Sequence, residues 1–406
     1  MIELQPIPEL RFQDFKNNWE EQQLGDLVKF TKGKELPKSD ISPNGNYKCI
    51  HYGELFTKYD ELITQVVSRT NINSNPILSK SNDVLMPTSD ITPNGLATAS
   101  CIKEDGVILG GDILILRQEQ YKIDGLFLSY YISHFKNRVM RLVSGTTVFH
   151  IYGSDLKQFE LRFPSLKEQI KITSLLTLVD SRKRILKKKK NLLEQYKKGV
   201  MQKIFNQEIR FKDEDGSEFP QWKKEKLGGL TYKVGKKNKE NIQFPIYSIN
   251  NQEGFRPQSE QFEGLDSNVR GYDISMYKIV YEKTFAYNHA RINVGSIGYS
   301  YDLNEVIISS LYVCFKTNKE LEDSYLLAYL NTDRFNKDIL RYQEGGVRQY
   351  LFYDNFSQIK IPLPSNEEQI KIANFLSAID KNIELVNTKI EHTKSYKKGL
   401  LQQMFV

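Results

Sequence analysis

Cysteine is scarce in this chain. Only Cys49, Cys101 and Cys314 occur in 406 residues. They are far apart and odd in number, so they make neither a disulfide framework nor a zinc site. Each is read as a small buried apolar residue. The five histidines, His51, His134, His150, His289 and His392, show no ligand spacing. No apolar run approaches a membrane span, and the opening MIELQPIPELRFQDF lacks a signal-type apolar core. A soluble protein of the reducing cytoplasm, without a membrane partner, is expected. Nucleotide and metal motifs are also missing: no G-x-x-x-x-G-K-[S/T] loop, no G-x-G-x-x-G after a strand, no H-E-x-x-H. These absences favour a binding protein over an enzyme.

Basic charge is confined to one stretch. Residues 166–205 carry 12 Lys and Arg against 3 Asp and Glu, whereas residues 1–165 carry 18 against 20 and residues 206–365 carry 21 against 22. Residues 366–406 are close to balance, at 6 against 5. A chain that coats DNA through a global field would be basic throughout, so any nucleic-acid face here must be a local patch.

What is present is a repeat. FPSLKEQIKITSLLTLVDSRKRILKKKKNLLEQYKKGVMQKIF (163–205) returns as LPSNEEQIKIANFLSAIDKNIELVNTKIEHTKSYKKGLLQQMF (363–405), with 16 of 43 positions identical. Before each copy lies a body of about 160 residues. The bodies share a frame: Arg11-Phe12, Trp19 and Leu24-Gly25 recur as Arg210-Phe211, Trp222 and Leu227-Gly228. GVILGGDILIL (106–116) matches EVIISSLYVCF (305–315), and SGTTVFHIYGSDLKQFELRFPS (144–165) matches EGGVRQYLFYDNFSQIKIPLPS (344–365). Between these, 28–81 and 230–276 share nothing visible. A constant frame with divergent inserts suits interchangeable recognition surfaces.

Each repeated segment reads as a strand, a proline and a long helix. Ser165 with Glu168, and Ser365 with Glu368, have the spacing of a capping box. In the first helix Ile172, Leu175, Val179, Leu186, Leu193, Tyr196 and Val200 recur every three or four residues, interrupted by Arg182 and Lys189. In the second, Ile372, Leu376, Ile379, Ile383, Val386 and Ile390 do the same. A narrow stripe over several heptads is a coiled-coil seam; the alternative is that each stripe docks on its own body. Forty helical residues span roughly 60 Å, and no return loop of that length exists, so the helices are expected to run antiparallel. Within the bodies, strands are expected at 84–86, 107–109, 113–116, 279–282, 306–308 and 311–315, and helices near 126–142 and 325–341. The fold class is α+β.

Several loops suit DNA. In the second body Lys233, Lys236 and Lys237 lie in a lysine-rich stretch; Lys283, Asn288, His289, Arg291 and Asn293 mix with aromatics; Arg348, Gln349 and Tyr350 follow two glycines. In the first body the counterparts are Lys32 and Lys34, Ser89 and Asn94, and Thr146, Thr147 and His150. Arg and Lys suit guanine edges, Asn and Gln suit adenine, and Lys, Ser and Thr hold phosphates. Taken singly, each is better explained as an ordinary hydrated loop residue.

The paired P-S-x-x-E-Q-I-K-I openings (Pro164–Ile172, Pro364–Ile372), Asp180 and Asp380, the Y-K-K-G exits and the R-F…W…L-G starts resemble the specificity subunit of type I restriction–modification systems, over essentially the whole chain. The resemblance implies two target-recognition domains (1–165 and 206–365) alternating with two conserved helical spacers (166–205 and 366–406). The helices would form an antiparallel coiled coil, each domain would read half of a split double-stranded DNA site, and the helices would set the spacer. It implies two methyltransferase subunits using S-adenosylmethionine and ATP- and Mg-dependent restriction–translocation subunits as partners, with no cofactor, metal or catalytic residue on this chain. The run RKRILKKKK (182–190) has an almost uncharged counterpart; it is read as a solvated face, a dock for an acidic partner or a contact to spacer phosphates. A bivalent adaptor for proteins or glycans, and an enzyme with an unrecognised site, are the competing classes.

Overall fold

Leu161 and Phe163 are buried and alternate with more exposed neighbours, and the strand Glu160–Phe163 pairs antiparallel with Glu20–Gln23. The repeat builds the same ribbon from Lys360–Leu363 and Lys223–Lys226. Pro164 and Pro364 then stop the ladder, since proline offers no N–H. The first long helix is Leu166–Phe205, of 40 residues, and the second is Asn366–Met404, of 39. The computed structural model describes residues 7–406 apart from 73, 119, 120, 252, 262, 263, 265, 268 and 347.

The chain divides into two compact units: everything up to Lys188 together with Asn387–Val406, and Lys189–Val386. In the first unit a five-stranded mixed sheet has Ile113–Gln118 between Val28–Lys32 and Val84–Pro87, followed by Ser100–Ile102 and Leu62–Ile63. A three-stranded sheet of Ser68–Thr70, Tyr47–Ile50 and Ile108–Leu109 is built from segments interleaved with it along the chain. The helix Gly125–His134 is buried along most of its length, its first turn capped by Asp124, which accepts from the Phe127 amide at 3.0 Å. Its core takes in Trp19, Leu176, Val179, Leu400 and Phe405, so both long helices supply it.

The second unit has a four-stranded sheet, Thr231–Val234, Tyr312–Thr317, Phe285–Asn288 and Ile297–Tyr299. A five-stranded sheet runs from the edge Lys236–Lys237 through Lys278–Val280, Val306–Ile308 and Ile246–Asn250 to Gly254–Pro257. The helix expected at 325–341 is two helices, Asp323–Leu330 and Asp333–Tyr342. Thr332 makes the break: its hydroxyl accepts from the Phe335 amide at 3.1 Å and so restarts the helix. The first body divides likewise, Gly125–His134 from Lys136–Met140.

Within each unit segments of the two long helices run antiparallel. In the first, Lys397 meets Asp180 while Phe405 stacks on Phe127 at 5.1 Å. In the second, Lys197 meets Asp380 while Phe205 lies 5.5 Å from Tyr325. Of the seam residues, Ile172, Val179 and Ile390 are buried in the first unit and Ile372, Ile379 and Val386 in the second. Leu186 and Leu193 are half-buried. Tyr196, expected in the stripe, is instead 54 % exposed, as its repeat counterpart Tyr396 is at 57 %, so it lies outside the seam. Leu176, at 0 %, is buried more completely than the expected Leu175.

Neither expected capping box is complete among the described residues: the Ser365 hydroxyl accepts from the Glu368 amide at 3.4 Å, but the two carboxylates turn to other partners. Glu168 receives Arg11 through both oxygens, at 2.7 and 2.8 Å, and Glu368 receives Arg210 at 3.2 and 2.8 Å and the Trp222 indole at 2.8 Å. A buried carboxylate is held better by a two-pronged guanidinium than by one backbone N–H. The neighbouring Gln169 and Gln369 are fully buried, each accepting from one loop amide (Asp124, Glu322) and donating to the carbonyl of the preceding proline. The Glu of the repeated motif thus fastens the start of each body, and the Gln a later loop of it, to the start of the helix.

Candidate nucleic-acid interface

The same tight hairpin projects from both bodies. In the first, Ser144 and His150 exchange backbone hydrogen bonds of 3.0 and 2.8 Å; in the second, Glu344 and Tyr350 exchange bonds of 2.9 and 2.8 Å. Gly145 (φ +117°) and Gly345 (φ +124°) make the turn, and a Cβ on either would lie 2.2 Å from the carbonyl oxygen of Val148 or Arg348. No side chain fits there. The next amide anchors each hairpin: Ile151 N–H to Thr88 O at 3.2 Å, and Leu351 N–H to His289 O at 2.8 Å.

The hairpins place different chemistry on this common frame. The first exposes Thr146 and Thr147, with His150 opposite Ser89 in a two-strand pairing and its ring 6.1 Å from Tyr152. The second exposes Arg348 and Gln349, though the Gln349 amide donates to Gly345 O at 3.0 Å and so braces the turn. Beside it three rings cluster: His289 lies 5.4 Å from Tyr350 and 5.1 Å from Phe352, and Tyr350 lies 5.8 Å from Phe352. His289 Nδ1 is 2.6 Å from the Leu311 carbonyl, which can only accept, so Nδ1 carries the proton. Asn288 and Arg291 line a polar cavity of about 360 Å³ with Asn251, Gln261 and Ser296. Asn293 is exposed on the turn Ile292–Val294.

Lysines form a second feature of that body. Lys233 is exposed on its strand, and Lys236 and Lys237 are exposed on an edge strand paired with Lys278–Ile279. Lys278 is half-buried and donates to the Tyr312 carbonyl. Burial, and then the charges of Lys233 and Lys237, hold its pKa below the ordinary 10.5, against an opposing effect of Cys314. Like charges gathered this way are relieved by an anion, such as a phosphate. Lys283 is exposed on a separate turn with φ +56°.

The first body's cations are more committed. Lys32 pairs with Asp112 at 3.2 Å, and Lys34 donates to the Ser74 and Asn75 carbonyls at 3.0 and 3.1 Å. Asn94 is exposed on the short helix Pro93–Leu96. Sequence reasoning passed over Phe352, 44 % exposed within the ring cluster, and the cavity residues Asn251 and Gln261. An aromatic just after Arg348–Tyr350 was the available signal for Phe352; nothing local marks the other two. Part of the basic run is also accounted for. Lys183 pairs with Asp60 at 3.5 Å and Asp180 at 3.2 Å, and Arg184 donates to Thr64 at 3.1 Å, so both hold the first body's own segment 60–64.

Among the described residues no group of His, Cys, Asp and Glu could hold a metal, and no helix is long and apolar enough to cross a membrane. A family model described as the type I restriction modification DNA specificity domain matches residues 16–195 and again 221–394. The type I restriction enzyme MjaVIII specificity subunit of Methanocaldococcus jannaschii is 24 % identical over 404 residues, covering 95 % of this chain and 91 % of that one. A second protein of that organism, named as a type I restriction enzyme MjaX specificity subunit, is 28 % identical over 315 residues, 74 % of this chain and 71 % of its own. The crystal structure of the type I restriction–modification S subunit from M. genitalium superposes with a TM-score of 0.61 at 19 % identity, covering 98 % of this chain and 99 % of that one. A chain from a structural study of type I system assembly gives 0.56 at 16 % identity, covering 95 % and 97 %.

Proposed function

The chain belongs to the type I restriction–modification DNA specificity family, and on that premise we infer that each body reads one half of a split double-stranded DNA site while the long helices set the spacer and carry the partners. The observation that carries this reading is the duplicated hairpin. Its backbone is the same at Gly145 and Gly345, yet Thr146, Thr147, Val148 and Phe149 follow in one copy where Gly346, Val347, Arg348 and Gln349 follow in the other, so the polar side chains change both in kind and in position. A fixed frame with exchanged polar tips is what two different half-sites require. Arg348, Arg291 and Asn288 are assigned to base edges in the second body, and Lys233, Lys236 and Lys237 to phosphates. In the first body Ser89, Thr146, Thr147 and His150 are the base-reading set.

The chemistry is assigned to partners: two methyltransferase subunits with S-adenosylmethionine, and restriction subunits with ATP and Mg. This chain supplies the address. The test is to purify the chain with its methyltransferase subunit and map methylated positions across a genome. A two-part motif with a fixed gap is expected, and exchanging one body for another should replace one half only. Methylation by the chain alone, or a single uninterrupted motif, would overturn the reading.

A further inference from the structure

In the first unit two apolar side chains of the first long helix face solvent: Leu178 is 69 % exposed and Ile185 is 66 % exposed. They stand two turns apart on one face, with Arg182 between them. Leu178, Val179 and Arg182 make one wall of a groove of about 440 Å³, and Lys389, His392 and Tyr396 of the second long helix make the other. Tyr396 is 57 % exposed. Arg182 and Lys389 form no ion pair or side-chain hydrogen bond among the described residues. An apolar strip edged by unpaired cations fits an amphipathic helix whose apolar face is edged by carboxylates.

The second unit has its own face at the repeat-equivalent positions, and its chemistry differs. Leu192, Tyr196 and Leu385 are 53 %, 54 % and 51 % exposed, so an apolar strip is kept, although the small Ala378 stands where the first unit has Leu178. Lys189 stands where the first unit has Lys389, but Asn382 replaces Arg182 and Leu192 replaces His392. The Asn382 amide donates to its own helix, to Ala378 O at 2.9 Å. The two faces thus share an apolar strip whose residues are placed differently, and they differ in charge at Arg182 and Asn382.

We propose that the two faces take the same acidic-edged partner helix with unequal affinity, the first unit binding first through Arg182. This rests on the reading that the long helices carry methyltransferase subunits. Coupling between close, partly desolvated charges in an interface is large enough to matter, unlike an exposed pair. The test titrates the methyltransferase subunit into the full-length chain by calorimetry and native mass spectrometry. Two steps are expected at low salt, the first roughly tenfold tighter, about 1.4 kcal/mol. The gap should close at high salt and in an Arg182→Asn variant, while Asn382→Arg should tighten the second step alone. Two equal steps in the unaltered chain, or an Arg182→Asn variant with its first step unchanged, would overturn the inequality but leave the docking reading standing. No binding at either face would remove both. A chain that dimerises by itself, and loses this with Leu178→Asp, would assign the groove to a second copy and overturn the proposal.

Discussion

Lys397 Nζ lies 2.9 Å from Asp180 Oδ2, and Lys197 Nζ lies 2.6 Å from Asp380 Oδ1. Each lysine belongs to the Y-K-K-G exit of one repeat and each aspartate to the other repeat. The two pairs differ in surroundings. Asp180 and Lys397 are 16 % and 12 % exposed, Tyr130 also donates to Asp180 at 2.7 Å, and Lys397 also reaches Glu61 at 2.9 Å. Asp380 is 53 % exposed. Removing Asp180 leaves a shielded lysine short of a partner, so Asp180→Ala is expected to cost roughly 3 kcal/mol. Asp380→Ala should cost about 0–1 kcal/mol. Urea unfolding of the two variants checks this, and equal losses would contradict it.

The same cluster gives acid sensitivity. Burial pushes the Asp180 carboxyl up, but Lys397 by charge and hydrogen bond, the Tyr130 hydroxyl and Lys183 together hold it below the ordinary 3.8. A carboxyl lowered by folding contributes fully above its unfolded pKa, and the contribution goes as pH falls through the folded value. Stability should therefore drop below about pH 4, and Asp180→Asn should flatten that part of the melting profile. Lys183 has the opposite sign. Burial lowers its pKa, but Asp180 and Asp60 outweigh this and raise it above 10.5, so its contribution is complete below 10.5 and fades only at higher pH.

Val179 and Val386 are 7 % and 4 % exposed in the seam. Replacing both with Glu buries carboxylates without partners, at a cost of several kcal/mol. Loss of folded protein or of assembly is expected whatever DNA is offered. Circular dichroism and gel filtration report it; a stable variant with an altered recognition motif would displace these residues from the seam.

Gly345→Ala forces the second hairpin open, because its Cβ has no room beside the Arg348 carbonyl. The body should stay folded while its half-site is read poorly. Arg348→Ala should cost roughly 1–3 kcal/mol and relax only that half-site. Changing Lys236 and Lys237 together should weaken all sequences alike and flatten the salt dependence by roughly one unit of slope per lost contact. Genome-wide methylation patterns separate these outcomes, and a shift in the other half-site would refute the assignment of one body to each half.

Seven residues inserted at matching points of both long helices add roughly 10 Å of helix, about three base pairs of DNA axis. The mapped motif should keep both halves and gain that gap. An unchanged gap would strip the helices of their measuring role.

The repeat, the long helices and the mixed α+β bodies were legible because they rest on periodicity and on proline, both local signals. The sequence misled where a local signal met a distant competitor. Ser165 and Glu168 have capping-box spacing, but Arg11, 157 positions away, takes the carboxylate. Tyr196 continues the heptad count, yet its bulk and hydroxyl stay at the surface while Leu176 fills the core. The helix at 325–341 lost its continuity to one side chain, Thr332. For the interface, the hairpin residues were visible as glycine followed by polar tips. The anchoring of both hairpins on Thr88 and His289 was not, because it depends on strand positions without any shared side-chain identity.

Phe405 stacks on Phe127, and the Leu10 amide bonds to the Gln403 carbonyl at 2.9 Å, inside a unit whose other part ends at Lys188. During synthesis on the ribosome, that unit must wait for the whole of Lys189–Val386 to emerge before its last core side chains arrive. The second unit, continuous in the chain, can finish first. The nascent first body therefore spends most of translation with the Phe405 socket open, a stage at which a chaperone, or early capture by another subunit, has its greatest effect on yield.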